Sequence, residues 1–176
     1  MIQGGIGGVN TKTGLAFEGK TNLSTFLSLQ KGYKIEDEKV FYNNEMVARV
    51  FQKHRFYTFL EEYNINWRGI ISKKLLPDDC IFVIINNTLF IIESKFQQVA
   101  GSVDEKLQTC DFKKRQYQKL LAQANIEVEY VYLLSEWFKK KEYKDVLDYI
   151  HYVNCYYYFE YIPLSILGLP VPTKEN

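Results

Sequence analysis

Two short apolar runs joined by a pair of asparagines constrain the fold of this chain most. The runs cover residues 80–85 and 89–92, and Asn86 and Asn87 lie between them. Both runs are rich in β-branched and aromatic residues and are too short for an ordinary helix, so the pattern predicts two strands. Adjacent asparagines tolerate the left-handed backbone that a tight turn requires. The stretch from residue 75 to residue 98 therefore predicts a β-hairpin.

Charged residues flank the open end of this hairpin. Pro77, Asp78 and Asp79 precede the first strand, and Glu93 and Lys95 end the second. Residues two apart in a strand face the same side, so Glu93 and Lys95 project together. Folding the hairpin brings one or both aspartates next to them. Burying two carboxylates and a lysine is costly unless a cation or a function satisfies them.

The length of 176 residues predicts one domain over residues 1–176. Residues 1–13 are glycine-rich but lack the Gly-Lys-Ser/Thr ending of a phosphate loop, so we interpret them as a flexible N-terminal arm. Contact of this arm with a DNA backbone, through Lys12, is the alternative interpretation. Residues 164–176, which follow Pro163 and include two further prolines, are expected to form a C-terminal tail.

The charge and the cysteines exclude several classes of protein. A net charge of +1 gives no global signal for polyanion binding, so any nucleic-acid surface must be local. Cys80, Cys110 and Cys155 are too widely spaced for a metal site or a disulfide framework, which favours a reducing cytosol. The sequence has no signal-peptide pattern, and its apolar runs are shorter than a membrane span. A cytoplasmic protein is expected.

Hydrophobic periodicity predicts the order of the remaining elements. Helices are expected at residues 14–31, 53–63, 102–124 and 142–153, and further strands at 39–42, 46–51, 65–72, 128–134 and 156–162. This order predicts an α/β (α+β) fold with a central mixed β-sheet flanked by helices. The strands before and after the helix at 102–124 are expected to be parallel neighbours joined by a right-handed crossover.

Polar residues on two of the predicted helices are further candidates for the site. Glu18 is near the start of the first helix, where a solvated glutamate favoured by the helix dipole is the simpler interpretation. Ser102 is a plausible N-cap of the helix at 102–124, with Glu105 completing a capping box. The polar face of that helix is of a kind that is usually solvated. Its position directly after the acidic cluster favours contact with a nucleic-acid backbone.

The acidic cluster suits metal-assisted hydrolysis. Two close carboxylates such as Asp78 and Glu93 repel each other unless a divalent cation lies between them, and oxygen ligands favour Mg²⁺ or Mn²⁺. Such an ion lowers the pKa of a bound water, and Lys95 would lie near enough to orient it or to stabilise the transition state. Composition alone leaves a second interpretation equally open, in which these charges are only exposed strand ends.

These residues resemble a known family of nucleases. Pro77-Asp78, separated by fourteen residues from Glu93-Ser94-Lys95, resembles the PD-(D/E)xK signature of restriction-endonuclease-like nucleases. Residues 93–107 and 10–18 are similar to segments of type II restriction endonucleases. The order of elements around the hairpin is also similar, so the resemblance extends over most of the chain.

The resemblance implies roles for individual residues. Asp78 and Glu93 would be metal ligands, helped by the backbone carbonyl of Ser94, and Lys95 would be the catalytic lysine. Glu18 matches an acidic residue that many relatives carry on the first helix, and Gln97 matches a polar residue that often follows the signature. Asp79 could substitute for Asp78, but Asp78 is preferred because it directly follows the proline.

The resemblance also implies a function and its partners. It predicts a Mg²⁺-dependent type II restriction enzyme, with Mn²⁺ as a substitute, that cuts double-stranded DNA as a homodimer. A cognate DNA methyltransferase would belong to the same system without necessarily contacting this chain. A nuclease of DNA repair or of a mobile element, and a non-catalytic DNA-binding module, are the alternatives. The candidate DNA-binding residues are Lys12, Lys53, Arg55, Ser102, Gln108 and Lys113.

Overall fold

A mixed seven-stranded sheet forms the centre of the molecule. The structure is a computed structural model that describes residues 10–11, 14–17, 22–97 and 103–172, with side chains described for 22–97 and 105–172. The strands of the central sheet follow one another in space in the same order as in the chain. They are β3 (Tyr33–Glu36), β4 (Lys39–Tyr42), β5 (Glu45–Phe51), β6 (Asp79–Val83), β7 (Thr88–Lys95), β8 (Glu127–Leu134) and β9 (Tyr156–Phe159).

The type of strand pairing changes once across this sheet, from antiparallel to parallel. Strands β3 to β7 are antiparallel neighbours, whereas β7, β8 and β9 run parallel. Strands β7 and β8 are parallel neighbours, and the chain between them contains a helix. This confirms the prediction that the strands on either side of that helix are parallel neighbours. A smaller antiparallel sheet has the order β1-β2-β10 and consists of β1 (Asn10–Thr11), β2 (Gly14–Phe17) and β10 (Ile162–Pro163).

Helices cover both faces of the central sheet. They are α1 (Leu23–Ser28), α2 (Arg55–Glu62), α3 (Val103–Lys106), α4 (Cys110–Leu121) and α5 (Lys144–Tyr152). On one face, here called the α4 face, alternate residues of β6 and β7 pack with α2, α4 and α5. On the other, the α1 face, the intervening residues pack with α1 and the segment that follows β10. Each Leu, Ile or Phe side chain buried in these clusters contributes about 1.5–3 kcal/mol. The predicted α/β class is confirmed.

Asparagines shape the two predicted hairpins. Asn43 and Asn44 both have positive φ, 48° and 68°, and form the two-residue turn between β4 and β5. This geometry matches the right-handed twist of the flanking strands. The turn between β6 and β7 is longer than predicted because it spans residues 84–87, with Asn87 at φ 51° donating its N–H to the Ile84 carbonyl. Both hairpins therefore form, with β6 ending at Val83 rather than at residue 85.

The N-terminal part differs most from the predicted elements. No helix spans residues 14–31: residues 14–17 form β2, and α1 covers only Leu23–Ser28. Asn22 begins α1, since its side chain accepts a hydrogen bond from the Thr25 N–H. Residues 33–36, for which no strand was predicted, form β3 and pair with β4. The apolar residues of the predicted helix could not distinguish a short helix from a strand followed by a helix, because both periods fit so few positions.

Three further predictions need correction. Residues 65–72 form no strand but contain the short 3₁₀ turn Trp67–Gly69. The expected continuous helix at 102–124 is divided into α3, a 3₁₀ turn at Leu107–Thr109, α4 and a 3₁₀ turn at Ala122–Ala124. The segment 164–176 is not only a tail, since Leu164, Leu167 and Leu169 are buried against the α1 face. In the described part of the chain, no helix combines the length and hydrophobicity that a membrane span needs.

Candidate functional site

The register of the central hairpin positions Asp78 and Glu93. Asp79 pairs with Ile92 and Cys80 with Ile91, so the same register continued by one residue places Asp78 opposite Glu93. Side chains alternate along a strand, which puts Glu93 on the α4 face with Ile91, and puts Asp78 on the same face as Cys80. The register therefore places the two predicted carboxylate ligands on the same face of the sheet, at the open end of the hairpin.

Two lysines neutralise Glu93. Lys113 on α4 donates from Nζ to both carboxylate oxygens, at 2.7 Å to Oε1 and 3.0 Å to Oε2. Lys95 lies on the other side, with its Nζ 3.1 Å from Oε2. The Glu93 side chain is only 8% exposed. The two ammonium groups supply the compensation that a buried carboxylate needs.

The pKa of Glu93 lies below its ordinary value. Burial by itself raises this pKa, but the charges of Lys95 and Lys113, together with the Lys113 hydrogen bonds, lower it further than burial raises it. Glu93 is therefore a carboxylate at neutral pH, which is the protonation state that a metal ligand requires.

Lys53 pairs with Asp78 through both its side chain and its backbone. Its Nζ lies 2.5 Å from Asp78 Oδ1, and its backbone N–H donates to the Pro77 carbonyl at 2.9 Å. Lys53 has φ 48°, in the left-handed region that costs a non-glycine residue about 1–2 kcal/mol. Backbone outliers of this kind concentrate at functional sites. Lys53, predicted as a DNA-binding residue, is therefore a neighbour of the candidate metal ligand.

Asp79 faces away from this cluster. It lies in β6 one residue after Asp78, and its Oδ1 accepts hydrogen bonds from the Leu23 N–H and from Gln52 Nε2. It thereby helps to cap the N-terminus of α1 on the α1 face. Burial raises its pKa to about 6 despite these hydrogen bonds. This geometry favours Asp78 over Asp79 as the partner of Glu93.

Buried tyrosines form the floor of the site. Tyr132 of β8 is in register with Glu93, and Tyr130 and Tyr117 pack near it on the α4 face. Burial raises the pKa of each of these three phenols well above the ordinary value, so they stay protonated. The Tyr130 hydroxyl is near enough to Glu93 to affect its pKa, but no described residue makes a hydrogen bond of normal geometry with it. The floor is thus uncharged, and the lysines provide the positive charge.

The other predicted residues are placed less centrally. Ser94 follows Glu93 in β7, so its side chain alternates to the opposite face, which is compatible with the predicted use of its backbone carbonyl as a ligand. Gln97 is buried, and its backbone N–H donates to Ser135 Oγ at 3.1 Å, which fixes the end of β7 against the end of β8. Glu18, Lys12 and Ser102 lie outside the described residues.

Two of the DNA-binding candidates that the structure describes make no ion pair or hydrogen bond with Asp78 or Glu93. Arg55 begins α2 and is paired with Glu38, with Nε 3.3 Å from Oε1. Gln108 is exposed in the 3₁₀ turn that precedes α4. Lys113 was predicted to lie on an open polar face of the helix. In the structure it turns inward and pairs with Glu93. The rotation of α4 about its axis decides this, and a sequence pattern does not report that rotation.

A basic loop, residues 64–76, leads directly to Pro77 and Asp78. It contains Arg68, Lys73 and Lys74 and no acidic residue. None of these three cations has an ion-pair partner among the residues that the structure describes. Two of them lie over aromatic rings instead: Lys74 Nζ is 4.4 Å from the centre of the Tyr57 ring, and Arg68 is 4.7 Å from that of Trp67. The absence of acidic residues from this loop was a readable signal that the sequence analysis missed.

The candidate ligands fit a hard cation. Within residues 22–97 and 105–172, no group of three or more His, Cys, Asp or Glu side chains could hold a metal. What the cluster offers is two carboxylates, Asp78 and Glu93, with a backbone carbonyl beside them. A donor set of few protein oxygens suits Mg²⁺, which keeps several of its waters when it binds.

Comparison with known proteins agrees with this geometry. A family model described as a PD-(D/E)XK nuclease superfamily domain matches residues 36–128, which is more than half of the chain and includes β4 to β7, α4 and the beginning of β8. No curated protein and no solved structure matches the chain significantly. The matched region contains Asp78, Glu93 and Lys95 in the order and spacing of the signature. The chain belongs to the PD-(D/E)XK nuclease superfamily.

Proposed function

We propose that this chain is a Mg²⁺-dependent endonuclease that cuts double-stranded DNA at specific sites, as type II restriction endonucleases do. The proposal rests on one observation above all. Asp78 and Glu93 lie on the same face of the sheet at the open end of the hairpin, and Lys95 Nζ is 3.1 Å from Glu93 Oε2. Two carboxylates that can bind a metal ion, with a lysine ammonium group beside one of them, are the groups that phosphodiester hydrolysis uses.

Each group has a specific role in this proposal. Asp78, Glu93 and the Ser94 carbonyl hold the divalent cation, for which Mn²⁺ can substitute. When bound, this ion activates water and neutralises charge on the phosphate. Glu93 is ionised at neutral pH because its lysine neighbours hold its pKa below the ordinary value.

Lys95 stabilises the transition state. Its ammonium donates hydrogen bonds to an oxygen of the phosphoryl group as negative charge accumulates there. Its position two residues after Glu93 on one strand fixes its distance from the ligands. Glu18 and Gln97 are proposed as further contributors, the first to the hydration of the cation and the second to the shape of the site.

The basic loop is proposed to contact the DNA backbone next to the site. Arg68, Lys73 and Lys74, which have no ion-pair partner among the described residues, precede Asp78 by four to ten residues, so they would be available to a backbone phosphate at the site. Lys53 and Arg55 extend this positive surface. A homodimer would bring two such sites to the two strands of a duplex. A cognate DNA methyltransferase would protect the host sites without needing to contact this chain.

Incubation of plasmid DNA with the purified chain and Mg²⁺, followed by sequencing of the cut ends, tests this proposal. We expect discrete fragments, no cutting in chelator, and a loss of rate of about 10²–10³-fold in Lys95→Ala. Asp79→Asn is a matched control, because it changes a neighbouring carboxylate on the other face and keeps both hydrogen bonds at Oδ1.

Other outcomes assign the chain differently. Cutting only at ends or junctions would indicate a repair nuclease or a mobile-element nuclease instead. Tight DNA binding without any cutting, unchanged in Asp78→Asn, would indicate a non-catalytic module.

A further inference from the structure

Each candidate metal ligand already carries an ammonium group from a different element. Lys53, which follows β5, lies on Asp78, and Lys113 of α4 lies on both oxygens of Glu93. Lys95 is the third cation, with its Nζ 3.1 Å from Glu93 Oε2. Two carboxylates and three ammonium groups give the cluster a net charge of +1.

A divalent cation cannot simply be added to this arrangement. With all three lysines in place, the cluster would reach a charge of +3 within a few ångströms, and like charges at such distances repel strongly. Lys53 and Lys113 also occupy lone pairs of Asp78 Oδ1 and of both Glu93 oxygens, so a cation has to compete with them for the carboxylates. Some of the ammonium groups must therefore leave the carboxylates when the ion binds.

Lys53 and Lys113 are free to leave, whereas Lys95 is not. The Lys53 side chain is 54% exposed and that of Lys113 27%, so both can turn toward solvent on flexible stems. Lys95 is 19% exposed and lies on the same strand as Glu93, which keeps it beside the ligand.

We propose that Lys53 and Lys113 are displaceable counter-ions: they hold Asp78 and Glu93 while no metal is bound, and they transfer to backbone phosphates of the nucleic acid when a divalent cation takes their place. This inference rests on the proposed function. By linkage, metal and nucleic acid then strengthen each other's binding by the same factor.

The decisive measurement is Mn²⁺ binding to the DNA-free protein, by electron paramagnetic resonance. Lys113→Met removes the competing ammonium, so its Mn²⁺ dissociation constant should fall about tenfold below that of the wild type, a factor in the usual range for coupled sites. Lys113→Arg should resemble the wild type. Lys119→Met is the matched control, since Lys119 is exposed on the same helix and should leave the constant unchanged.

A second variant, at the other carboxylate, shows whether the result with Lys113→Met comes from misfolding. Lys53→Asn removes the ammonium on Asp78 but keeps a residue that tolerates the left-handed backbone at this position. It should also tighten Mn²⁺ binding. A lysine that only braced the fold would give the opposite sign, because its loss would loosen the ligands and weaken metal binding.

The phosphate half of the inference is tested in a Lys95→Ala background, where cutting is suppressed. With Mn²⁺ present, Lys113→Met should reduce the slope of log affinity for a DNA duplex against log salt by about one. Without metal the slope should not change, because Lys113 is then held by Glu93.

The outcomes separate this inference from the proposed function. Unchanged or weaker Mn²⁺ binding in both Lys113→Met and Lys53→Asn overturns the counter-ion role while leaving the metal site intact. If Mn²⁺ binding survives unchanged in Asp78→Asn and Glu93→Gln, the metal site itself is wrong, and the proposed function fails with it. A salt slope that falls equally with and without metal also overturns the transfer to phosphate.

Discussion

Asp78 and Asp79 are adjacent in the chain but belong to opposite faces of the sheet. Asp78 lies with Glu93 and Cys80 on the α4 face, where it is paired with Lys53. Asp79 accepts hydrogen bonds from the Leu23 N–H and from Gln52 on the α1 face, and it has no lysine within ion-pair distance among the described residues. One residue step in a strand therefore separates a charge-compensated site from a helix cap.

The largest effect is expected on the rate of DNA cleavage. Asp78→Asn and Glu93→Gln should each lower the rate of DNA cleavage by about 10³-fold or more, because each removes a negative charge that holds the cation. Asp79→Asn should stay within about tenfold of the wild type, since Asp79 holds no position on the α4 face. Initial rates on supercoiled plasmid at saturating Mg²⁺ measure all three. A loss of 10³-fold in Asp79→Asn together with an active Asp78→Asn would exchange the two assignments.

The second test uses the pH dependence of stability. The pKa of Asp79 is raised to about 6 in the folded protein, above its value of about 3.8 in the unfolded chain. Between about pH 4 and pH 6 the unfolded chain has already lost this proton while the folded protein still holds it. Raising the pH through this range therefore favours the unfolded chain and lowers the free energy of unfolding of the wild type by about 3 kcal/mol. Asp79→Asn lacks this titration and keeps both hydrogen bonds at Oδ1.

Urea unfolding at several pH values compares the two proteins. The stability of Asp79→Asn relative to the wild type should increase across this window and stay constant above about pH 7. A relative stability that does not change with pH would mean that Asp79 titrates normally and that the α1 face does not bury its charge.

A third test compares Lys114 with its neighbour on α4, Lys113, which pairs with Glu93. Lys114 is 9% exposed and pairs with Glu129 Oε2 at 2.9 Å and with the Asn154 carbonyl at 2.6 Å, far along β8 from Glu93. Lys114→Met should reduce the free energy of unfolding by about 1–3 kcal/mol, because it removes the charge-assisted hydrogen bonds of a buried ammonium group to two partly exposed acceptors. Calorimetric unfolding measures this, and Mn²⁺ affinity should stay at the wild-type value. A large change in metal affinity would show that the two lysines act together.

The smallest effects are expected in the basic loop. Lys73→Ala and Arg68→Ala should each weaken DNA binding about equally for all sequences and reduce the salt slope by about one. Fluorescence anisotropy with duplexes of two unrelated sequences measures this. Lys119→Ala is a suitable control because Lys119 is exposed and lies outside the loop. If the loss depended strongly on sequence, the loop would be reading bases rather than phosphates.

The central hairpin and the order of elements around it were predictable from the sequence. Residues 80–92 have a pattern that fits one structure, because the runs are short, β-branched and joined by asparagines. The choice of Asp78 over Asp79 rested on the signature, and strand alternation supplies the physical reason. The first helix was predicted wrongly because residues 14–31 contain too few apolar positions to separate a strand and a short helix from one long helix.

Without coordinates, the sequence placed Asp78, Glu93 and Lys95 at the open end of a predicted hairpin, and their resemblance to a known signature indicated a nuclease. Only the tertiary structure placed Lys53 and Lys113 on those carboxylates and turned Asp79 toward α1. The difference has a physical cause. Alternation along a strand is a local property of two-residue period, so the sequence contains it. The rotation of α4 and the approach of the residue after β5 depend on how whole elements pack against both faces of the sheet, and no local pattern records that packing.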